Sequence, residues 1–328
     1  MSQILRKTIC FVLLISLISV VSSTFVQKAL ASTPSLVGFG EDLTIYYSNS
    51  SPDVWVSKLG YFTKWNANTA RLTFNFANDP GWMSIYDKNR MNAVLGYLSS
   101  VGVQAVLSYF ASGAKYGSQQ WVDNWKQVAL DFRGDTRIRA FNICNEPYGE
   151  YASPTGPTGG IKPRHPDSFN AACGYLIDQI RSIDPTRTIM YPLMMNIVSG
   201  SWTEIYNSLL KYGIPAKGNM IYDIVHPYYF ENEWDMGLTP TQKADWYLNN
   251  NILPAVTAFG AQNCWCGETY PWEWGNHDLQ VAFEVQMINN LVDHSVGFQM
   301  LCYFSASTYE RSLMDECLAA SHYYALRG

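Results

Sequence analysis

The stretch from Ile138 to Pro147, IRAFNICNEP, contains the repeating unit that decides the fold. Its first part is β-branched and aromatic, as in a buried strand, and a segment with helical periodicity follows near residues 167–182. The same alternation of a short apolar run with a longer helical segment recurs from residue 36 onward. This repetition predicts a parallel sheet with helices between its strands.

The number of repeats predicts the architecture. Strands are expected near 36–40, 69–76, 103–110, 138–145, 187–192, 221–229, 262–268 and 297–304, and helices near 54–66, 85–100, 119–132, 167–182, 202–211, 240–258, 278–293 and 310–325. Eight strand-helix units favour a single-domain α/β fold, the (β/α)8 or TIM barrel. An open doubly wound sheet is the alternative, but Gly38-Phe39-Gly40-Glu41 lacks the third glycine of a nucleotide-binding turn.

Residues 1–31 are predicted to be a secretory signal peptide. Arg6 and Lys7 precede an apolar stretch, and Ala29-Leu30-Ala31 supplies small residues for cleavage. The mature chain, residues 32–328, is then one catalytic domain that is secreted, with an uncleaved N-terminal membrane anchor as the alternative. No later segment has the ~20 consecutive apolar residues that a transmembrane helix requires.

The charge of the chain argues against a nucleic-acid partner. Removal of Arg6, Lys7 and Lys28, with no acid, changes the formal net charge from -5 to -8. The remaining Lys and Arg residues form no basic stripe of the kind that binds a phosphate backbone. The sequence carries no signal for an oligomeric state.

Two glutamates stand at the ends of apolar, strand-like runs. Glu146 follows the run that begins at Ile138, and Glu268 follows Cys264-Trp265-Cys266-Gly267. Burial of a carboxylate in an apolar setting costs free energy unless it is paired, so the presence of each glutamate calls for a functional explanation. Hydrolysis of a glycosidic bond is such a reason, because it uses one carboxylic acid to protonate the leaving oxygen and one carboxylate to attack or stabilise the sugar.

Other polar residues lie where a barrel places its reactive groups, near the carboxyl ends of the strands. His226 and Tyr228 close the run that begins at Met220, and Arg71 lies on the second predicted strand. His226 and Tyr228 are two residues apart and therefore share a face of an extended chain.

In this strand order, the motifs resemble glycoside hydrolase family 5, within the large clan of retaining barrel glycosidases. The resemblance covers essentially the whole mature chain. It rests on Asn145-Glu146-Pro147 after the fourth strand, His226-x-Tyr228 after the sixth, Gly267-Glu268 ending the seventh, and Arg71 on the second.

The resemblance implies a retaining endo-β-glycosidase that hydrolyses a β-linked polysaccharide through a covalent intermediate. It implies Glu146 as general acid/base and Glu268 as nucleophile, with Asn145 contacting the sugar 2-hydroxyl and Arg71 stabilising the nucleophile. The two glutamate carboxyl groups should then lie about 5 to 5.5 Å apart. A β-1,4-glucan such as cellulose is the first choice of substrate and β-mannan the second, while transglycosylation on the same site stays open.

Further candidates are expected to bind substrate or support the glutamates. Tyr228 is predicted to hydrogen-bond Glu268, and His226 to contact the sugar or orient Glu146. Trp272 and Trp274, just beyond Glu268, are candidate sugar platforms, because the C–H face of a sugar packs on an aromatic ring.

The sequence also departs from the family pattern. The third strand ends in Ser108-Tyr109-Phe110, without the common histidine, and the eighth carries Tyr303 rather than the common tryptophan, so Tyr303 is expected to replace that platform. Phe304, the next residue, is the alternative to Tyr303 as this platform. These departures bear on the subfamily and the substrate more than on the reaction.

Other function classes fit less well. A non-catalytic carbohydrate-binding barrel is the alternative from another class, and retention of both glutamates argues against it. No His-Glu-x-x-His run indicates a metal site, and no Gly-x-Ser-x-Gly elbow indicates a serine hydrolase. No cofactor is implied.

Overall fold

A computed structural model describes all eight barrel strands and most of the helices that follow them. The described residues are 37–42, 63–79, 84–110, 116–145, 166–193, 202–229, 237–269, 276–301 and 308–324. The predicted signal peptide and most of the helix predicted near 54–66 lie outside them.

Eight parallel strands form a closed barrel in which each strand pairs with its neighbours in sequence and β1 pairs with β8. The predicted TIM barrel is therefore confirmed. The strands are β1 (Val37–Asp42), β2 (Thr69–Phe74), β3 (Gln104–Tyr109), β4 (Ile138–Asn142), β5 (Ile189–Pro192), β6 (Met220–Val225), β7 (Cys264–Thr269) and β8 (Gly297–Leu301).

The described helices follow β2 to β8 and cover the barrel. They are α1 (Lys88–Ser100), α2 (Gln119–Asp131), α3 (Pro166–Ile183), α4 (Trp202–Lys211), α5 (Pro240–Tyr247), α6 (Leu253–Phe259), α7 (His277–Asp293) and α8 (Thr308–Ala320). Short 3₁₀ turns lie at Ile214–Lys217 and Ala261–Asn263. No helix in the described part of the chain is long and apolar enough to cross a membrane.

The single helix predicted over 240–258 is wrong in one respect, because it is interrupted. It begins with a capping box in which Thr239 accepts from the Gln242 backbone N–H, with Pro240 in the first turn. A π-helical turn, Leu248–Ile252, then separates α5 from α6. Pro254 lies at the start of α6 and has no N–H to donate, so the regular α-helical ladder cannot run through this point.

The strands divide their side chains between two cores. On β2, Ala70, Leu72 and Phe74 belong to the large core between barrel and helices, and the alternation of a strand therefore turns Arg71 inward. A small separate cluster inside the barrel contains Val106, Ala140, Met190, Ile221 and Trp265. The barrel interior is thus packed below the carboxyl end, where a polar centre is left.

The fourth strand is shorter than predicted, because the chain leaves the sheet after Asn142. The Ile143 carbonyl accepts hydrogen bonds from the indole N–H groups of Trp121 and Trp125, at 3.2 and 3.0 Å. These two side chains of α2 therefore fix the path of the chain toward Asn145.

The opposite end of the barrel contains a buried ion pair. Asp184 and Arg187 are 2% and 6% exposed, and the Arg187 Nη2 lies 2.9 Å from the Asp184 carboxylate. Arg187 also donates to the carbonyls of Phe132, Asp135 and Ile138, so its guanidinium joins the loop before β4 to the loop before β5.

Four cysteines, Cys173, Cys264, Cys266 and Cys317, are free and buried. Burial raises the pKa of each thiol, to about 12 for Cys264. They act as small apolar side chains in the core.

The end of β7 is irregular, and its irregularity depends on a glycine. The pairing of β7 with β8 shifts between Cys266 and Thr269. The backbone N–H of Gly267 donates to the Asp223 carboxylate on β6 at 2.9 Å. A β-carbon at position 267 would lie 2.3 Å from both Asp223 oxygens, so only glycine allows this approach.

We expect Gly267→Ala to lower the free energy of unfolding by about 1–3 kcal/mol, because the new methyl group must displace a fully buried carboxylate. Urea unfolding of the variant measures this. The matched control is Gly96→Ala in α1, where nothing lies within 4 Å of the added carbon and helix propensity favours alanine. A Gly267→Ala protein as stable as the control would contradict the close approach.

A second buried carboxylate, Glu284 on α7, supports β7 from outside the barrel. Its Oε2 accepts from the Thr269 hydroxyl at 2.8 Å, and Oε1 has no hydrogen-bond partner among the described residues. Burial raises the pKa of Glu284 to about 8, while the Thr269 hydrogen bond lowers it in part. The folded protein therefore favours the neutral acid at this position.

This raised pKa predicts a pH dependence of stability. The folded state binds a proton at Glu284 that the unfolded state releases near its ordinary pKa of about 4.3. Stability from this group is therefore complete below that value and falls as pH rises to about 8. Glu284→Gln, which keeps a neutral side chain of similar shape, should flatten the dependence and be the more stable protein above pH 8. Thermal unfolding from pH 5 to pH 9 tests this; parallel curves for both proteins would refute it.

Candidate active site

Glu268 lies at the carboxyl end of β7 and is 1% exposed. A buried carboxylate needs a compensating charge and hydrogen bonds to both oxygens. The structure supplies them from β2 and from the segment after β6, so elements distant in sequence converge on one side chain.

Arg71 provides the compensating charge. Its Nη1 donates to Glu268 Oε1 at 2.5 Å, and its Nη2 donates to Asn145 Oδ1. Both members of the ion pair are buried, and the guanidinium carbon lies 5.5 Å from the centre of the Phe110 ring. The planar fork of arginine can serve two acceptors at once, which a lysine ammonium does with less directional precision.

Tyr228 and His226 face the other oxygen of Glu268. The Tyr228 hydroxyl donates to Oε2, and His226 Nδ1 lies 3.4 Å from the same atom. Both residues follow β6, whose last residue is Val225. The predicted contact between Tyr228 and Glu268 is present, and His226 also approaches Glu268.

Asn145 lies three residues beyond β4, 7% exposed, and its carbonyl accepts from the Tyr116 hydroxyl at 3.0 Å. Because Oδ1 accepts from Arg71, the Nδ2 group must point the other way. Arg71 thus fixes the orientation of the Asn145 amide, which is predicted to contact the sugar 2-hydroxyl.

Sequence reasoning missed one residue of this centre, Asp223. It is fully buried on β6 and lies 3.0 Å from His226 Nε2, in addition to its bond to Gly267. The sequence signal was available: Asp223 interrupts the apolar run from Met220 to Val225, where an unpaired carboxylate would be costly.

The third strand shows what stands in place of the common histidine. Tyr109 points outward, where its hydroxyl donates to Asp79 and accepts from Asn124. Ser108 is fully buried and pairs in register with Asn142, while Phe110 lies beside Arg71. The side chain that the third strand places near Glu268 is therefore aromatic rather than an imidazole.

Four predicted site residues lie outside the described residues: Glu146, Trp272, Trp274 and Tyr303. The separation of the two glutamates and the aromatic platforms therefore stay predictions. Within the described ranges, no group of three or more His, Cys, Asp or Glu residues is arranged to hold a metal ion.

This arrangement has a clear chemical capability. A carboxylate held by a cation and a phenol at the mouth of a barrel is a fixed nucleophile or a fixed negative charge for a developing positive centre.

Comparison with known proteins identifies the family. The family model described as cellulase (glycosyl hydrolase family 5) matches residues 45–300. No curated protein sequence is significantly similar to the chain.

Solved structures share the fold at low identity. The tri-modular endo-β-1,4-glucanase B (Cel5B) from Bacillus halodurans has a TM-score of 0.66 and 15% identity over 90% of this chain and 61% of that chain. Thermotoga maritima Cel5A in complex with mannotriose has a TM-score of 0.61 and 13% identity, over 90% of this chain and 99% of that chain. A GH5-4 broad specificity endoglucanase from an uncultured bacterium has a TM-score of 0.60 and 10% identity, over 90% and 96%.

The family model matches more than half of the chain, and the barrel of this protein has the same fold as these solved structures. The protein therefore belongs to glycosyl hydrolase family 5 and is a glycoside hydrolase.

Proposed function

We propose that this protein is a secreted endo-β-glycosidase that works with retention of configuration, with Glu268 as nucleophile and Glu146 as general acid/base. The observation that carries the proposal is the buried contact of Glu268 with Arg71 and Tyr228. A carboxylate fixed from both sides is suited to attack at one point in space.

The reaction has two steps. A Glu268 oxygen attacks the anomeric carbon while Glu146 gives its proton to the glycosidic oxygen, so the C–O bond to the leaving sugar breaks and an ester forms. Glu146 then removes a proton from water, whose oxygen attacks the same carbon and releases Glu268 as a carboxylate.

The contacts of Glu268 serve both steps. Each carboxylate oxygen has two lone pairs, so an oxygen that accepts one hydrogen bond keeps a lone pair for the sugar. Arg71 and Tyr228 hold different oxygens, which prevents the carboxylate from rotating away as charge moves onto the sugar.

Asn145 is proposed to bind the sugar 2-hydroxyl. Its Oδ1 is taken by Arg71, which leaves the Nδ2 group to donate toward the substrate. A hydrogen bond at the 2-position strengthens as the ring approaches the transition state, so it contributes to catalysis as well as to binding.

The proposed substrate is a β-1,4-glucan such as cellulose, with β-mannan second. Endo-β-1,4-glucanase B from Bacillus halodurans and Cel5A with bound mannotriose share the fold and support both choices. Trp272, Trp274 and Tyr303 are proposed to form the sugar platforms, and residues 1–31 to direct secretion.

The direct test is release of reducing sugar from soluble cellulose, mannan, xylan and mixed-linkage glucan by the purified mature protein. We expect activity on the first or second polymer and random internal cleavage, seen as a fast fall in viscosity. A folded protein that releases sugar from none of the four polymers would overturn the proposal.

Replacement of the nucleophile should abolish hydrolysis and reveal its role. We expect Glu268→Ala to lower kcat by on the order of 10³-fold or more. Added azide should restore turnover on an aryl glycoside and give the α-glycosyl azide, since azide enters from the face that the carboxylate has left.

Glu146→Ala is the matched control, because azide should then give the β-product after Glu268 has formed the ester. NMR of the products distinguishes the two anomers. An α-azide from Glu146→Ala would exchange the two assignments.

Arg71→Lys tests the fork that joins Glu268 to Asn145. The variant keeps the charge but not the two-point geometry, so we expect kcat/KM to fall by about 10²-fold. Arg137→Lys is the control, since Arg137 makes a similar fork to Asp135 at the other end of the barrel. Equal activity of the two lysine variants would show that charge alone matters.

A further inference from the structure

Asp223 is a fully buried carboxylate that the proposed reaction does not use directly. Its Oδ1 accepts from the Gly267 backbone N–H at 2.9 Å, and its Oδ2 accepts from the Asn142 amide at 3.4 Å. Neither partner carries charge. The remaining contact, with His226 Nε2 at 3.0 Å, is therefore the one that can balance the carboxylate.

His226 lies between two carboxylates. Nε2 faces Asp223 Oδ2 at 3.0 Å, and Nδ1 faces Glu268 Oε2 at 3.4 Å, with the ring almost fully buried. An ionised carboxylate offers only acceptors, whereas a neutral imidazole has one N–H and one lone pair. A neutral ring would turn its lone pair toward one of these carboxylates, so the geometry favours an N–H on both nitrogens.

The charges at the centre lead to the same result. Among the residues that the structure describes, the charged or titratable groups that face His226 are Asp223 and Glu268, with Arg71 beyond Glu268 and the Tyr228 phenol beside it. Two carboxylates and one guanidinium leave one uncompensated negative charge, which is costly in a buried site. A protonated His226 makes the centre neutral.

We propose that Asp223 is a positioning residue that keeps His226 as a cation, and that this cation fixes and screens the Glu268 nucleophile. This inference rests on the proposed role of Glu268. Asp223 acts on Glu268 by two routes, through the His226 ring and through the backbone N–H of Gly267, the residue that precedes it.

The charge balance also gives the cation a role in turnover. When Glu268 attacks the anomeric carbon and becomes an ester, its negative charge is lost to the new covalent bond. Of the described charged groups, Arg71, His226 and Asp223 then remain, and together they carry one excess positive charge. Attack of water, with its proton going to Glu146, regenerates the Glu268 carboxylate and restores neutrality, so the electrostatics favour breakdown of the intermediate.

The first test is the protonation state of His226, read from ring ¹⁵N chemical shifts of the labelled full-length mature protein. His226→Gln assigns the signals. We expect both ring nitrogens at imidazolium values at pH 7 in the native protein, and a neutral ring at pH 7 in Asp223→Asn. A neutral His226 in the native protein, or a cation that persists unchanged in Asp223→Asn, would overturn the proposal.

The second test is kinetic. We expect Asp223→Asn to lower kcat by about 10-fold or more while KM changes by less than about 3-fold, because a fixed nucleophile matters in the transition state. Asp184→Asn is the matched control, since it also removes a buried, paired carboxylate, but at the other end of the barrel. A kcat for Asp223→Asn equal to that of the control would refute the positioning role.

The two tests keep this inference apart from the proposed function. The NMR measurement needs no substrate, so it decides the charge of His226 even if no polysaccharide is hydrolysed. Absence of hydrolysis by the native protein, with a cationic His226, would overturn the proposed function alone. If Asp223→Asn does not fold, the spectrum of the native protein still shows whether His226 is a cation.

Discussion

The buried ion pair between Arg71 and Glu268 is the interaction on which the site depends. Burial of either charge without the other would be strongly destabilising, so each residue requires the other as its partner. Because Arg71 also holds Asn145, one guanidinium fixes a proposed nucleophile and a proposed sugar-binding amide at the same time. Loss of either acceptor would leave a buried cation with an unpaired donor.

The barrel makes this ion pair possible by closing. β2 and β7 are far apart in sequence and are not neighbours in the sheet, yet their inward side chains meet across the interior. Apolar residues of different sizes, such as Ala140 and Trp265, fill the interior below and exclude water from the charges on that side. The scaffold therefore provides an apolar environment without water beneath the ion pair, and electrostatic interactions are stronger there than in water.

Much of this was predictable from sequence because the relevant signals are local. Strand-helix alternation predicted the barrel, and polar residues at strand ends predicted Glu268, His226 and Tyr228. The π-helical turn at Leu248–Ile252 was not predicted, although Pro254 is visible in the sequence. Hydrophobic periodicity does not show where the backbone hydrogen bonds of a helix change from the α to the π pattern.

Asp223 was missed for a different reason. The apolar run around Asp223 marks its carboxylate as unusual, but its role depends on Gly267 and His226, and these long-range partners are not encoded in a local pattern. The shortened β4 is similar, since the chain leaves the sheet where two tryptophans from α2 take the Ile143 carbonyl. Element types are set locally, whereas the contacts that place functional groups are set by the closed barrel.

The close approach of Gly267 to Asp223 also constrains how the protein can evolve. Any side chain at position 267 collides with the carboxylate, and loss of the carboxylate removes the reason for a glycine there. Substitutions at the two positions are therefore energetically coupled, and the effect of one depends on the residue at the other. Substitutions that change specificity are therefore expected in the loops, which tolerate single changes, rather than at positions 223 and 267.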